Sequence, residues 1–427
     1  MVKLPLLVAL CLFVTLFSFS QSIDDIINAK EVERIERKLS SDEMQGRATF
    51  KPGIDKAADF IAEEFKKAGI QPLNGSYFQP FEMMRRTLNT ATATVNGTAL
   101  EEKNFAVLTS KAELSVTEKS GYEKVVVDAS GNLSTTVRGL QKTNKNYLVL
   151  ADTSFRNVFG RIKRSMSNSF SFDANIVILL GVSSPSTYSI EFKQTVAGMP
   201  LKNVVGILPG KSRKEEYVIF SGHYDHLGIG RATPEGDSIF NGANDDAAGT
   251  TAVIMLAHYF AKKKDNERTL IFAAFTAEEI GGFGSQYFSQ QFDPAKVMAM
   301  FNIEMIGTDS KWGNNSAFIT GYEKSDMGKI LEKNLEGSNF KFYPDPYPAQ
   351  QLFYRSDNAT LARLGVPAHT ISTSKMDSEK YYHTQDDEIE TLDMNNMAEI
   401  IKAIAISSRT IVAGTDTPSR VDTSQLR

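Results

Sequence analysis

The chain is poor in several residues that would announce its chemistry. Among 427 residues there is one cysteine, one tryptophan and only five histidines. The cysteine, Cys11, lies inside an N-terminal apolar segment, so a chain trimmed of that segment has none and no disulfide framework is open to it. Such a protein must rely on its core, or on metals. A basic excess is also missing. The formal net charge is −4, which removes the electrostatic footprint of a nucleic-acid binder. After the first twenty residues no run is long and apolar enough to span a bilayer. No G-x-S-x-G follows a strand-like run, which argues against a serine hydrolase, and no H-E-x-x-H helix occurs.

What is present begins with "MVKLPLLVALCLFVTLFSFSQS", one lysine, an apolar run and small residues at Ser18 and Ser20. This is the layout of a secretory signal peptide over residues 1–20, with cleavage expected close to Gln21. Leu10 stands where a lipoprotein signal needs a small residue, so a lipid anchor is not expected. The expectation is an exported protein, periplasmic or secreted, without stable membrane insertion after cleavage.

Residues 23–39 have a polar helical pattern, followed by a loop punctuated by Gly46, Pro52 and Gly53. "IDKAADFIAEEFKKAGI" repeats its apolar residues at helical spacing and stops at Gly69. Residues 76–202 read mainly as short strands, with a helix expected in the basic stretch 156–171. From 203 onward strand-like runs alternate with helical ones, which argues for a largely parallel sheet covered on both faces. The polar tail 415–427 reads as disordered.

All five histidines follow residue 220. In "SGHYDH", His223 ends a strand-like run and Asp225 lies two residues on, on the same side. Carboxylates then recur at the ends of successive strand-like runs: Asp245 and Asp246 in "NGANDDAAG", Glu278 and Glu279 in "TAEEIGG", and Glu304 in "FNIEMIG". His383 sits in "YYHTQDD". In open α/β sheets that edge is where ligands bind. Adjacent carboxylates are costly to bury unless paired or put to use. Two histidines with several carboxylates fit a pair of zinc ions sharing one bridging carboxylate. One of Asp245 and Asp246 can cap the following helix, leaving the other for different work. The remaining histidines have plainer readings. His258 is placed on an apolar helix as a packed residue and His369 at the edge of the core. His226 either supports the site or caps a turn. Trp312 carries no assignment.

Taken in order, "LSSDEMQGRATFKPGIDKAADFIAEEFKKAGIQPL", "NVVGILPG", "VIFSGHYDHLG", "NGANDDAAGTTAVIMLA", "RTLIFAAFTAEEIGGFGSQYF", "FNIEMIG", "FYRSDNATLARLGVPA" and "YYHTQDDEIETLD" resemble metallopeptidase family twenty-eight, the co-catalytic zinc aminopeptidases. The resemblance implies a three-layer α/β/α sandwich around a mixed, mostly parallel sheet. The peptidase domain would be formed by residues 21–75 and 203–414. The region 76–202 would be a β-rich insertion in the position of a protease-associated domain. It further implies that His223 binds the first zinc ion and Asp225 orients it, that Asp245 bridges two Zn2+, and that Glu279 and His383 complete the second position. Glu278 would be the general base, and the substrates would be peptides cut at the N-terminus. Relatives also include carboxypeptidases, glutaminyl cyclases and receptor-like members without activity. Two departures stand out. Glu304 occupies a position that is commonly aspartate, a ligand of the first metal. "RSDNATLARLGVP" lacks the histidine or aromatic residue that relatives often carry around Asn358 to Thr360.

Overall fold

The computed structural model describes residues 22–426. The expected signal peptide and its cleavage site lie outside them. Among the described residues no helix is long and apolar enough to cross a membrane. The chain forms two units, one from residues 22–78 and 203–426, the other from 79–202.

In the first unit, strand Arg213–His223 runs parallel to Arg268–Phe275 on one side and to Val297–Ile303 on the other. Val297–Ile303 pairs in parallel with Ala368–Ser372. Ser316–Ile319 then pairs antiparallel with Ala368–Ser372 and parallel with Lys341–Pro344. Beyond Arg268–Phe275, residues 204–208 of the long strand Tyr188–Leu208 add an antiparallel edge. The sheet is therefore mixed, with a parallel centre.

Its central strands are apolar almost throughout, because both faces are covered. All eight residues of Arg268–Phe275 are buried. Side-chain alternation sorts them into two cores. Val218, Phe220, Leu270, Phe272, Ala299 and Phe301 join one, with residues of helices Ala29–Leu39, Pro52–Ala68, Ala248–Lys263 and Met394–Ser407. Ile219, Ile271, Ala273, Phe275 and Met300 join the other, with Phe288, Leu361 and Ala362 from helices Phe283–Ser289 and Asn358–Ala362. This gives the helix–sheet–helix layering expected from the sequence. Phe220 anchors the first core, stacked on Phe260, Phe272 and Phe301 at ring separations of 5.3, 5.7 and 5.0 Å. Helix Pro52–Ala68 starts with proline in its first turn, where a missing N–H costs nothing. It ends at Gly69, whose φ of 83° suits a residue without a side chain.

The second unit has its own four-stranded sheet, ordered Phe105–Leu108, Asn175–Leu180, Asn146–Ala151 and Glu123–Val127. Its last three strands are parallel. Two helices, Leu133–Gln141 and Arg156–Ser165, supply Leu133, Val137, Phe159 and Ile162 to its core. The second helix falls within the basic stretch 156–171. The first was not expected from the sequence.

The tail differs from expectation. Residues 415–426 are held against the first unit rather than disordered. Buried Arg268 donates to the carbonyl of Asp416 at 2.7 Å and to the Thr417 hydroxyl. Arg420 donates to the carbonyls of Val297 and Pro294 at 2.7 and 2.9 Å. Val421 is buried. Polar composition hid this because the partners are main-chain carbonyls distant in sequence.

Candidate metal centre and cavity

The carboxyl ends of the parallel strands set the site. His223 closes its strand. Glu278 and Glu279 lie in the turn after Arg268–Phe275, and Glu304 follows Val297–Ile303. Asp245 comes from the segment Ala243–Ala247, which leads into helix Ala248–Lys263. His383 comes from a loop, with φ 58°.

These residues converge. His223 Nε2 lies 3.2 Å from Asp245 Oδ1. His383 Nε2 lies 3.2 Å from Asp245 Oδ2 and 3.3 Å from Glu279 Oε2. The two oxygens of Asp245 are thus shared between two histidines from different segments. Donor atoms of His223, Asp245 and Glu304 all lie within 4.8 Å of one another, and so do those of His226, Asp245 and Glu279. Glu304 therefore reaches the first cluster despite its extra methylene.

Asp225 acts differently from a simple partner of His223. The His223 Nδ1–H donates to the Asp225 main-chain carbonyl at 3.1 Å, while the carboxylate stands 3.8 Å away. A carbonyl can only accept, so Nε2 of His223 keeps its lone pair for a ligand. The Asp225 carboxylate instead accepts the main-chain N–H groups of Glu278 and Glu279 at 3.0 and 3.3 Å and the Thr49 hydroxyl at 3.0 Å. It fixes the turn that presents both glutamates. Asp246 separates from Asp245 in the same way. It accepts N–H groups from His223, Gly249 and Met305, tying helix Ala248–Lys263 to two strand ends.

Two supports carried no assigned role in the sequence. Asp387 accepts the N–H groups of Asn244 and Asp245 at 2.8 and 3.0 Å. Arg47 is fully buried and donates to four carbonyls, those of Leu39, Tyr224, Asn241 and Gly242, at 2.6–2.9 Å. It clamps the segments leading to Asp225 and Asp245. Its motif "GRATF" was visible, but nothing in the sequence names carbonyls nearly two hundred residues away. His258 and His369 lie apart from the site, the first beside Glu64 at 3.3 Å and the second between Ser325 and the Thr320 carbonyl. Trp312 stacks on Tyr343 at 4.0 Å.

Electrostatics follow from burying so many carboxylates together. Burial pushes the Glu304 carboxyl up to about 7 and that of Asp225 up to about 6. Burial also holds Glu278 well above the carboxylate range, with Glu304 and Asp357 adding to the push and His223 opposing it. For Asp245 burial again pushes upward, but the imidazoles of His223 and His383 close by outweigh it and hold the group below its usual value. The carboxylates of Asp245 and Glu279 beside it raise His383 to about 10. Among the described residues, a ring nitrogen of His223 and of His383 and a carboxylate oxygen of Glu304 are buried without a hydrogen-bond partner. Unmatched buried donors and acceptors are costly. Imidazole nitrogens and carboxylate oxygens at these separations are a donor set that fits zinc.

The cluster opens into a cavity of about 320 Å³. Met305, Phe318, Leu352, Met376 and Tyr382 give it an apolar wall, and Arg355 is the one arginine or lysine among its lining residues.

Residues 203–407 match the profile of peptidase family M28. The segment belongs to that family. Among curated proteins, a probable leucine aminopeptidase of Trichophyton verrucosum is 28% identical over 209 residues, covering 47% of this chain and 54% of that protein. A probable zinc metalloprotease of Pyrenophora teres is 36% identical over 109 residues, covering 25% of this chain and 23% of that protein. The chain thus spans about half the length, or less, of these relatives. Among solved structures, an aminopeptidase from Aneurinibacillus sp. strain AM-1 superposes with a TM-score of 0.54 at 18% identity, covering 95% of this chain and 98% of that one. A zinc aminopeptidase from Bacillus subtilis gives 0.53 at 14% identity, covering 92% and 98%. At these identities the likeness in structure shows the fold alone.

Proposed function

We propose that the protein is an exported, zinc-dependent exopeptidase that removes N-terminal residues from peptides. The observation that carries this reading is the division of the two Asp245 oxygens between His223 and His383, the arrangement a carboxylate needs to bridge two cations. His223, Asp245 and Glu304 would hold one zinc ion. Asp245, Glu279 and His383 would hold the other. Zinc, when bound, supplies Lewis acidity toward a peptide carbonyl and acidifies a water molecule.

The protein's own groups do the rest. Glu278 faces the cavity without taking part in either ligand set. Its carboxylate accepts a proton from the attacking water as the oxygen adds to the carbonyl carbon. It returns that proton to the leaving amine as the C–N bond breaks. Cations held by the neighbouring carboxylates would offset the crowding that raises the Glu278 carboxyl. The apolar wall excludes water from a side chain seated beside the reacting bond. Export rests on the signal-like residues 1–20.

The test joins metal content to product identity. The protein as purified is analysed for zinc, and a peptide library is digested and read by mass spectrometry. Loss of N-terminal residues by a protein with two zinc ions per chain is the expected result. A zinc-loaded protein that cleaves no peptide would overturn the reading. Arg355 favours one second reading. A single cation on the cavity wall suits a substrate carboxylate, so a carboxypeptidase would instead release residues from the C-terminus in the same assay.

A further inference from the structure

His226 is buried behind the centre, at the end of the loop that His223 begins. Its ring is closely confined. Gly242, with φ 55°, passes so near that a methyl group there would come within 2.5 Å of the ring. His383 meets it edge-on at 5.7 Å. The main-chain N–H of His226 is held by the Arg47 carbonyl at 3.2 Å. Within this slot Nδ1 lies 2.8 Å from Glu279 Oε1 and 3.9 Å from Asp245 Oδ2.

Two roles fit an imidazole so close to a carboxylate: a further ligand, or a donor that orients one. The far nitrogen decides between them. Among the described residues, His226 Nε2 is buried and has no hydrogen-bond partner. A neutral ring that offered its Nδ1 lone pair to a cation would carry its proton on Nε2 and strand that N–H. Metal-binding histidines almost always give that second N–H to an acceptor, as His223 does through Asp225. With the proton on Nδ1, the ring donates to Glu279 Oε1, and only a lone pair is left unmatched.

We infer that His226 is a positioning residue, donating from Nδ1 to Glu279 Oε1 so that Oε2, which lies beside His383, is the oxygen presented to the second zinc ion. The assignment rests on the zinc reading above. It accounts for the different surroundings of the two Glu279 oxygens, one against His226 and the other against His383. A side chain at Gly242 would collide with the ring as well as with the Asp245 carbonyl, so the glycine leaves room for both.

The test uses the full chain, stripped of metal and titrated with Zn2+ against a competing chelator. His226→Leu should weaken one of two binding events by about 10–100-fold and leave the other unchanged. His226→Gln, whose amide can still donate to Oε1, should recover most of that loss. His258→Gln should bind as the parent does. In parallel, cadmium-loaded parent protein with nitrogen-labelled histidine is examined for metal–nitrogen coupling by NMR, which does not depend on any variant folding. Coupling to His223 and His383 but not His226 is expected. Coupling to His226, or Zn2+ affinity unchanged in His226→Leu, would overturn the assignment. If the parent protein itself takes up no Zn2+, the zinc reading fails first and is recognised as such.

Discussion

Neighbouring acidic residues in this chain divide their labour, and the division can be tested one side chain at a time. Asp246 holds main-chain N–H groups while Asp245 faces histidines. Glu279 faces His383 while Glu278 faces the cavity. Glu278→Gln is nearly isosteric and removes only the proton acceptor. Turnover should fall by at least about 10²–10⁴-fold with zinc content unchanged, measured by peptide hydrolysis and metal analysis on the same sample. Arg47 offers a contrasting case, since it touches no candidate ligand. Arg47→Ala would leave the buried carbonyls of Leu39, Tyr224 and Asn241 without their arginine donor, and that of Gly242 with the Ala247 N–H alone, at a cost of about 3 kcal/mol or more, and denaturant unfolding should show it. His369 supplies a pH-dependent term. Burial pushes its imidazole down to about 4, with Glu323 and Lys324 exerting smaller, opposed effects. The unfolded chain binds that proton more readily. The stability His369 confers is therefore complete above about pH 6.5 and is lost as pH falls toward 4, on the order of 3 kcal/mol in all. Unfolding free energy followed across that window should slope less in His369→Gln. The sequence marked the candidate residues that the structure brings together because most of them stand at strand ends in short motifs. It could not show Arg47 or Asp387 at work, because their partners are main-chain atoms with no residue identity.

Elements were legible where one period dominated. The helix Pro52–Ala68 and the fully buried strand Arg268–Phe275 each follow from local pattern. Short pieces such as Ser316–Ile319 and Lys341–Pro344 did not, because four residues hold too little periodicity and their pairing is set by neighbours. The tail was misread for a related reason. Its hold on the fold depends on Arg268 and Arg420 rather than on an apolar repeat. Ending the chain at Gly414 should leave Arg268 with the carbonyl of Ile411 and the carboxylate of Glu216 alone. The thermal midpoint is expected to drop by about 5 °C or more, as scanning calorimetry would show, whereas a tail of no structural account would leave it unmoved.

At the scale of the molecule, a candidate centre built from five separate stretches of chain would couple metal binding to folding. Chelation should lower the thermal midpoint and added zinc should restore it in proportion to the logarithm of free metal, because an ion that binds only the folded state stabilises it by mass action. The order of the segments has another effect. Residues 79–202 are contiguous, and a ribosome delivers them together, so their core can close as soon as they emerge. The unit with the candidate ligands is synthesised in two instalments. Helices Ala29–Leu39 and Pro52–Ala68 are made early, yet the helices they pack on, Ala248–Lys263 and Met394–Ser407, come much later. During that interval Val32, Ile35, Ile61 and Phe65 lack the later helices that complete their cover. These helices, made before the partners they pack on, are thus among the last elements to find their place, and the newborn chain depends longest on whatever shields apolar helices from one another.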